Sequence, residues 1–332
     1  MVVVGSSKRS KSAGKSVFRI ACALSFGLDE IKKVFRHVPN VEVLKFSEEL
    51  ALEGSIEPCE GLIVYSSHYT ASLSRWVLQQ EIKWIRFVTA GIDPLLKFPI
   101  PKGVIVSTSG KLWSKAVAEH AVATLLALTR GLHISFNSAD KSDWGRGLLI
   151  PHLRVVRDLR VLIVGYGAIG SEISRLLRVF GPHVTGLARN KRVDGDIDVK
   201  EISELNNELS QSDVVFLTIP LTPDTTDLIS TTQLGLMKKT AILIDVSRGG
   251  VVNQVALVEA LTKKHIGCAG LDVFAKEPLA LDHPLRSLPN VILTPHIAGF
   301  GEKDLEEKLA LNIKDNLLDF LSRNTPQDTI EI

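Results

Sequence analysis

The sequence has few cysteines, no long apolar run and almost no net charge, and each of these absences excludes a class of protein. Cys22, Cys59 and Cys268 lie far apart, so they offer neither a disulfide framework nor metal-ligand spacing, and they suit the cytoplasm. The apolar runs are only as long as strands, so no membrane span is predicted. A net charge of +2 gives no strong field for nucleic acid or membranes. The 332 residues, 45% of them hydrophobic, are enough for two globular domains.

Residues 1–16 are rich in serine and lysine and contain no acid. We interpret them as a disordered tail, with a transit peptide or a remnant of cloning as alternatives. The ending Gly14-Lys15-Ser16 is similar to the end of a P-loop. Arg9 stands where that motif needs glycine, and a strand rather than a helix follows, so no P-loop is predicted.

From residue 17 onwards, apolar segments of strand length alternate with polar or helical connections. These segments are 18–24, 41–45, 61–65, 84–88 and 104–107. The alternation predicts an open parallel α/β domain. Residues 89–93 (TAGID) directly follow the fourth strand, at the end where ligands bind such sheets. We interpret this loop either as a ligand loop or as a plain glycine turn before Pro94.

The stretch RVLIVGYGAIG, residues 160–170, organises the second half of the chain. A buried strand over 160–164 is followed by Gly165, Gly167 and Gly170 in G-x-G-x-x-G spacing, and then by a helical pattern over 168–180. Strand, glycine turn and helix are the context that the dinucleotide fingerprint requires. The helix N-terminus would then present N–H groups to a pyrophosphate. The sequence therefore predicts a dinucleotide site here.

Five further strands follow, and with 160–164 they make the six of a doubly wound dinucleotide fold. They are 183–188, 214–219, 241–246, 268–273 and 291–295. A long helix over 115–130 is apolar on most faces, which predicts a junction between domains or subunits. We interpret His120 within it as a hydrogen-bonded structural histidine. The connection 131–158, which contains Trp144, is expected to be functional or interfacial, and an amphipathic helix over 302–321 is expected to close the first domain.

Arg248, Glu277 and His296 each stand just past the end of a predicted strand of one sheet. Arginine binds carboxylates as a planar fork, and histidine can give and take a proton near neutral pH. A carboxylate beside the histidine would orient it and favour its charged form. Each residue alone has a plain structural interpretation, but together beside a nucleotide fold they predict a catalytic site.

The chain resembles the D-isomer-specific 2-hydroxyacid dehydrogenase family over about residues 84–300. The resemblance is carried by the segments VAEHAVATLLALTR, VLIVGYGAIG, IPLTPDTTDLI, LMKKTAILIDVSRGGVVN, GLDVFAKEPL and LPNVILTPHIAG. It implies an α/β fold of two doubly wound parallel-sheet domains. A Rossmann cofactor domain (115–298) is inserted into a flavodoxin-like substrate domain (17–114 and 299–332).

The resemblance also implies roles for individual residues. Arg248 would hold the carboxylate and carbonyl of a 2-oxo acid, His296 would be the proton donor in reduction, and Glu277 would pair with His296. The backbone N–H groups of Gly91 and Ile92 would take the substrate carboxylate. No metal site is predicted, and the expected cofactor-binding residues are Gly165, Tyr166, Gly167, Ala168, Ile169, Gly170, Arg189, Asn190, Lys191, Arg192, Pro220, Ser247 and Asp272.

Two departures from the family pattern stand out. Asp245 and Asn253 replace a common Asn and Asp, which we interpret as a neutral exchange. The acid expected about 20 residues past the fingerprint to bind the ribose of NAD is missing. Residues 188–192 read Ala-Arg-Asn-Lys-Arg instead, which predicts NADP(H) as the cofactor.

We therefore expect an NADPH-dependent 2-oxo acid reductase, acting on glyoxylate, hydroxypyruvate or a related acid. The alternatives are a nucleotide-sensing corepressor on the same fold and an NAD-linked phosphoglycerate dehydrogenase. A cytoplasmic homodimer is expected, with its interface formed by helix 115–130 and loop 131–158. Candidates for the substrate pocket are Tyr65, His68, Tyr69, Leu112, Trp113 and Trp144, the last reaching a neighbouring subunit's site.

Overall fold

The computed structural model describes residues 17–52, 54–137, 146–323 and 325–330. The predicted tail (1–16) and Trp144 lie outside these residues. The strands described are β1 (Phe18–Ala23), β2 (Val41–Lys45), β3 (Gly61–Val64), β4 (Trp84–Phe87), β5 (Ile105–Thr108), β6 (Arg160–Val164), β7 (His183–Ala188), β8 (Arg192–Asp194), β9 (Ile197–Glu201), β10 (Val214–Leu217), β11 (Ile242–Asp245), β12 (Cys268–Leu271), β13 (Val291–Leu293) and β14 (Thr329–Ile330).

The α-helices are interspersed among these strands. They are α1 (Leu28–Phe35), α2 (Glu48–Leu52), α3 (Ala71–Leu78), α4 (Ser114–Thr129), α5 (Leu132–Asn137), α6 (Arg146–Leu149), α7 (Ala168–Leu177), α8 (Leu205–Gln211), α9 (Thr231–Leu236), α10 (Gln254–Thr262) and α11 (Leu305–Leu321). Short 3₁₀ turns cover Ser66–His68, Asp93–Leu96, Ile150–His152, Val156–Asp158, Arg178–Phe180, Ile202–Glu204 and Pro284–Ser287. In the part of the chain that the structure describes, no helix is long and apolar enough to cross a membrane.

The first compact unit contains the described residues up to Val88, Phe98–Thr108 and those from Glu306 onwards. Its six-stranded sheet has the order β14-β5-β4-β3-β1-β2 and is parallel apart from β14. Strands β3 and β4 are buried along their whole length, as expected for a parallel sheet covered on both faces, and β4 includes the buried Arg86.

The second compact unit contains Thr89–Lys97 and Ser109–Leu305. Its eight-stranded sheet has the order β13-β12-β11-β10-β6-β7-β9-β8, and only the β8–β9 pair is antiparallel. Strand β6 lies between β10 and β7, where the strand order reverses, and ligands bind such sheets at that switch point. The glycine turn after β6 is therefore placed where the fold binds a nucleotide.

The two parallel-sheet domains confirm the predicted α/β fold class. The compact units differ from the predicted domain bounds in three places. Loop 89–97 belongs to the second unit, and the main segment of that unit runs from residue 109 to 305 instead of from 115 to 298. The assignment of one unit to the substrate and the other to the cofactor stays a prediction.

Strands β8, β9 and β14 were not predicted from the sequence. Because β8 and β9 belong to the sheet of the second unit, that sheet has eight strands instead of the predicted six. Strands β8 and β9 form a hairpin with a Gly-Asp turn, in which Gly195 has a φ of +63°. Ile197 and Val199 are the buried positions of an alternating strand, which is a weaker signal than the continuous apolar runs elsewhere.

The predicted helices also differ at their ends. Helix 115–130 is Ser114–Thr129 in the structure, and helix 302–321 begins only at Leu305. Helix 168–180 ends at Leu177 and continues as one 3₁₀ turn, after which Gly181 takes a left-handed conformation and stops it.

Candidate active site

The glycine turn joins β6 to α7 and leaves room for a ligand beside it. Gly165 has a φ of +99°, and a Cβ there would overlap Ile219. A Cβ at Gly170 would lie 2.8 Å from the carbonyl oxygen of Gly165, so only glycine lets α7 pack this close to the strand. A Cβ at Gly167, by contrast, would meet no atom within 4 Å. This opening, beside the first N–H groups of α7 at Ala168 and Ile169, fits the pyrophosphate of a dinucleotide.

Tyr166 connects the glycine turn to the basic loop after β7. Its ring lies on Gly186, where a Cβ would come within 2.5 Å of Cδ2 of the tyrosine. Arg192 donates from Nη2 to the carbonyl oxygen of Tyr166 at 2.5 Å, and its guanidinium lies 5.7 Å from the centre of the ring. Arg192 therefore holds the loop to the glycine turn.

No hydrogen bond of this kind to another described residue is seen for the side chains of residues 188–191. Ala188 is half-buried, and Arg189, Asn190 and Lys191 are exposed. Arg189 follows the last residue of β7 directly and is exposed. All three cations of the loop are exposed, and Arg192 differs from Arg189 and Lys191 by its hydrogen bond to Tyr166.

Arg248 follows β11 and reaches across to loop 89–97 of the same unit. A Cβ at Gly249 would overlap the carbonyl of Phe274, so only glycine lets the arginine loop approach the loop after β12. Arg248 donates from Nε to Oδ2 of Asp93 at 3.0 Å and from Nη1 to its neighbour's carbonyl oxygen at 2.7 Å. A Cβ at Gly91 would overlap Nη2 of Arg248, so the guanidinium lies directly over the TAGID loop.

His296 and Glu277 form a hydrogen-bonded pair. Nδ1 of His296 lies 2.8 Å from Oε2 of Glu277, and Oε1 of Glu277 accepts the N–H of Phe274 at 3.0 Å. The hydrogen bond to Glu277 raises the pKa of His296, against the opposing effects of burial and of the Arg248 charge. Burial opposes ionisation of Glu277, yet hydrogen bonds from His296 and Phe274 outweigh it, and the carboxyl pKa lies below its usual value. Both shifts favour the charged form of each partner, and Nε2 of His296 is not used in the bond to Glu277.

Asp272, directly after β12, is buried and accepts hydrogen bonds from the loop that carries His296. Its Oδ1 accepts the N–H of Ile297, and its Oδ2 accepts the N–H of Ala298, both at 2.9 Å. The hydroxyl of Thr294 also donates to Oδ1 at 2.6 Å. Three donors from one loop thus occupy a carboxylate that the sequence analysis assigns to the nicotinamide carboxamide, and that assignment stays a prediction.

Asp245 lies behind the arginine loop. Its Oδ1 accepts both the N–H of Ser247, at 2.9 Å, and the hydroxyl of Ser247, at 2.5 Å. Burial raises the pKa of Asp245 from 3.8 to about 7. The exchange of Asn for Asp here has a consequence for titration that the sequence does not reveal. Pro220, another predicted cofactor residue, is exposed, and its carbonyl oxygen accepts the hydroxyl of Thr225 at 2.7 Å.

Three of the proposed pocket residues belong to the first unit. Tyr65 is buried, and its hydroxyl has no hydrogen-bond partner within the described residues. His68 places Nδ1 3.1 Å from the carbonyl oxygen of Ala23, and Tyr69 donates its hydroxyl to the carbonyl oxygen of Pro99 at 3.1 Å. These contacts fix the side chains, and their part in substrate binding stays a prediction.

Trp113 and Leu112 belong to the second unit. Trp113 is buried, and its ring lies 3.1 Å from where a Cβ of Gly299 would be and 5.9 Å from the ring of Phe300. It therefore packs against the loop that carries the catalytic histidine candidate. Leu112 is half-buried.

The second unit brings together Arg248, Glu277, His296 and the TAGID loop, as the sequence analysis expects. The hydrogen bonds from Arg248 to Asp93 and from the N–H of His296 to the carbonyl oxygen of Thr294 were not predicted. A contact between Arg248 and a residue 155 positions away has no local signal. No group of three or more His, Cys, Asp or Glu that could hold a metal ion occurs among the residues that the structure describes.

Residues 122–298 match the family model described as "D-isomer specific 2-hydroxyacid dehydrogenase, NAD binding domain". Glycerate dehydrogenase from Methylorubrum extorquens is 34% identical over 258 residues, which are 76% of this chain and 79% of that enzyme. The chain belongs to the D-isomer-specific 2-hydroxyacid dehydrogenase family. This confirms the predicted resemblance.

Two further proteins are similar to this chain, one in sequence and one in fold. Glyoxylate reductase from Aeropyrum pernix is 31% identical over 234 residues, 69% of this chain and 70% of that protein. The structure of an NADPH-dependent glyoxylate/hydroxypyruvate reductase from Sinorhizobium meliloti, in complex with NADP and sulfate, covers 95% of this chain and 98% of its own. It superposes with a TM-score of 0.82 at 23% identity, so it supports the fold alone.

Proposed function

We propose that this 2-hydroxyacid dehydrogenase is an NADPH-dependent reductase of small 2-oxo acids such as glyoxylate and hydroxypyruvate, with D-2-hydroxy acids as products. The observation that carries the proposal is the 2.8 Å pair of His296 and Glu277 in the same unit as Arg248 over Gly91. A charged imidazole supplies a proton, and a guanidinium beside it supplies a clamp for a carboxylate.

In this proposal the side chains divide the work on the substrate. Arg248, with the N–H groups of Gly91 and Ile92, binds the carboxylate and polarises the 2-oxo group. The proton on Nε2 of His296 goes to the carbonyl oxygen, and Glu277 keeps the charge on the imidazole stable before transfer. When bound, the nicotinamide supplies the hydride for the carbonyl carbon. Addition of one hydride and one proton turns the 2-oxo acid into the 2-hydroxy acid.

The preference for NADPH rests on the basic loop after β7. A carboxylate at that place would repel the extra phosphate of NADP, and Ala188 stands there instead. Arg189 and Lys191 are exposed and free to turn towards a phosphate, which arginine binds bidentately. Arg192 supports the loop through Tyr166.

The choice of small substrates is supported by the names of two relatives, a glycerate dehydrogenase and a glyoxylate reductase. Glycerate is the reduced form of hydroxypyruvate, so both names describe short 2-oxo or 2-hydroxy acids. An assay of NADPH oxidation by absorbance tests this part of the proposal. We expect turnover with glyoxylate and hydroxypyruvate, and slower turnover with bulkier aliphatic or aryl 2-oxo acids.

The same assay separates the alternatives. A corepressor-like protein would bind NADPH without turning over any 2-oxo acid. An NAD-linked phosphoglycerate dehydrogenase would reduce NAD with 3-phosphoglycerate and leave NADPH unused. Either outcome would contradict the proposal. His296→Ala serves as the inactive control.

We also propose a cytoplasmic homodimer that uses α4 and the segment following it. Phe136 and Val155, in that segment, are 84% and 57% exposed, so their apolar surface is accessible to a second copy of the chain. The three cysteines lie far apart in the sequence, which suits a reducing compartment. Light scattering that finds only a species with the mass of one chain would contradict the dimer.

A further inference from the structure

The backbone of the His296 loop takes a conformation that the surrounding residues must enforce. His296 has a φ of +55°, in the left-handed region that a side chain disfavours. Such backbone persists only where neighbouring contacts over-determine it. The N–H groups of His296, Ile297 and Ala298 all bond to Asp272, the first to its carbonyl oxygen and the other two to its carboxylate, each at 2.9 Å. Asp272 is therefore the residue that fixes this loop.

Helix α4 is linked to Asp272 through one hydroxyl. Nε2 of His120 lies 3.1 Å from Oγ1 of Thr294, whose own hydrogen is donated to Oδ1 of Asp272 at 2.6 Å. A hydroxyl carries a single hydrogen. Since Thr294 gives its hydrogen to the carboxylate, Nε2 of His120 must be the donor to Thr294. This fixes the tautomer of His120 and makes a directed chain from the helix to the loop.

The charges around this chain are few. Asp272 is 2% exposed, and Nε2 of His120 lies 3.9 Å from its Oδ1. On its other side His120 lines a cavity of about 450 Å³ together with Lys115, Glu119 and Glu302. Arg248, Glu277 and Asp272 are the charged groups that act on His296. The Asp272 charge is one of the influences that raise the pKa of His296.

We propose that His120 is a positioning residue for the proton donor, acting through Thr294 and Asp272 on the loop that carries His296. The proposal rests on the proposed role of His296. Without the His120 donor, the Thr294 hydroxyl keeps only its hydrogen bond to Asp272, and that bond becomes weaker. The loop that carries His296 can then relax from its left-handed backbone. The imidazole then no longer meets Glu277 and the substrate in one fixed geometry.

Kinetics of matched variants test the chain. His120→Ala removes the donor, whereas the amide nitrogen of His120→Gln can replace Nε2. Thr294→Val removes the hydroxyl at nearly constant shape, whereas Thr294→Ser keeps it. We expect His120→Ala and Thr294→Val to lower kcat about 10-fold with little change in KM. His120→Gln and Thr294→Ser should retain most of the wild-type kcat. In the double variant the losses should not multiply, because both changes break one chain.

Histidine NMR provides a readout that does not depend on turnover. The His296 signal, identified among the nine histidines with His296→Ala, can be titrated in the free protein. We expect His296 to titrate at lower pH in His120→Ala and Thr294→Val than in the wild type. In His120→Gln and Thr294→Ser it should titrate at the same pH as in the wild type. Unchanged titration and kcat in folded Thr294→Val would overturn the proposal. Failure of the wild type to reduce any 2-oxo acid would instead refute the proposed function. The titration would still show whether His120 and Thr294 position His296.

Discussion

The guanidinium of Arg248 donates from Nε to the carboxylate of Asp93 at 3.0 Å, which ties the arginine loop to the TAGID loop. Asp93 begins the 3₁₀ turn that follows Gly91 and Ile92. One edge of the guanidinium is thus committed to the protein, while its position over Gly91 directs the rest towards the proposed carboxylate site. We infer that Asp93 orients Arg248 and that its charge offsets the cation when no substrate is bound.

Asp93→Asn keeps an acceptor but removes the charge that holds Arg248. We expect KM for the 2-oxo acid to rise about 10-fold, because a charge-assisted hydrogen bond is worth ~1.5–3 kcal/mol, with a smaller change in kcat. Asp224→Asn, at an exposed acid elsewhere in the same unit, is the control and should leave both constants unchanged. A lower KM in Asp93→Asn would mean that Asp93 competes with the substrate for Arg248.

The pH dependence of reduction follows from the His296–Glu277 pair. Only protonated His296 can donate, and the hydrogen bond to Glu277 raises its pKa. The rate should therefore be constant at low pH and fall as the pH rises through that pKa. Glu277→Gln removes the main cause of the rise, so the fall should move to lower pH. Profiles of kcat/KM against pH for both proteins measure this shift, and coincident profiles would contradict the assigned pairing.

Asp245 predicts a second pH effect, on stability rather than on the rate of reduction. Its pKa rises from 3.8 to about 7 on folding, because the carboxyl is buried. The folded state therefore holds this proton more tightly, and the stability it contributes is present at low pH and lost as the pH rises towards 7. Asp245→Asn should leave Tm nearly unchanged at about pH 4 and raise it relative to wild type at about pH 8. The same Tm difference at both pH values would contradict a buried, protonated Asp245.

Strand and helix positions were predictable where one local signal dominates. The stretch Arg160–Val164 is a strand with the predicted ends, because its last four residues are apolar and buried, as in a parallel strand covered on both faces. The hairpin of β8 and β9 was missed because its strands are short, largely exposed and only partly alternating. Helix ends differ by a few residues, since caps such as Gly181 depend on backbone conformation.

In the candidate site, too, some features were predictable from the sequence and others were not. Arg248, Glu277 and His296 were predictable because the carboxyl ends of parallel strands share one edge of a sheet. The contacts that orient them were not, because His120 and Thr294 are 174 positions apart and nothing local relates them. The interpretation of His120 as a hydrogen-bonded structural histidine is correct as far as it goes, but its link to Asp272 required the folded chain.

The basic loop gives a selective prediction for the cofactor. Arg189→Ala should weaken NADPH about 10- to 100-fold and leave NADH use nearly unchanged, because a charge-assisted hydrogen bond is worth ~1.5–3 kcal/mol. Ala188→Asp should turn the preference towards NADH. Arg192→Ala is the informative comparison, since loss of its bond to Tyr166 should weaken both cofactors. The measurement is kcat/KM for each cofactor, and equal use of NADH and NADPH by the wild type would contradict this account of the loop.

The role of His296 is the centre of the account, and one comparison tests it most directly. Wild type and His296→Ala are mixed with NADPH and glyoxylate at saturation, and NADPH oxidation is followed in a single turnover, with NADPH affinity measured separately by fluorescence. Loss of a general acid typically costs 10²- to 10⁴-fold, so we predict a rate at least ~100-fold lower with unchanged NADPH binding. A variant that binds NADPH normally and oxidises it at close to the wild-type rate would contradict the assignment of His296 as the proton donor.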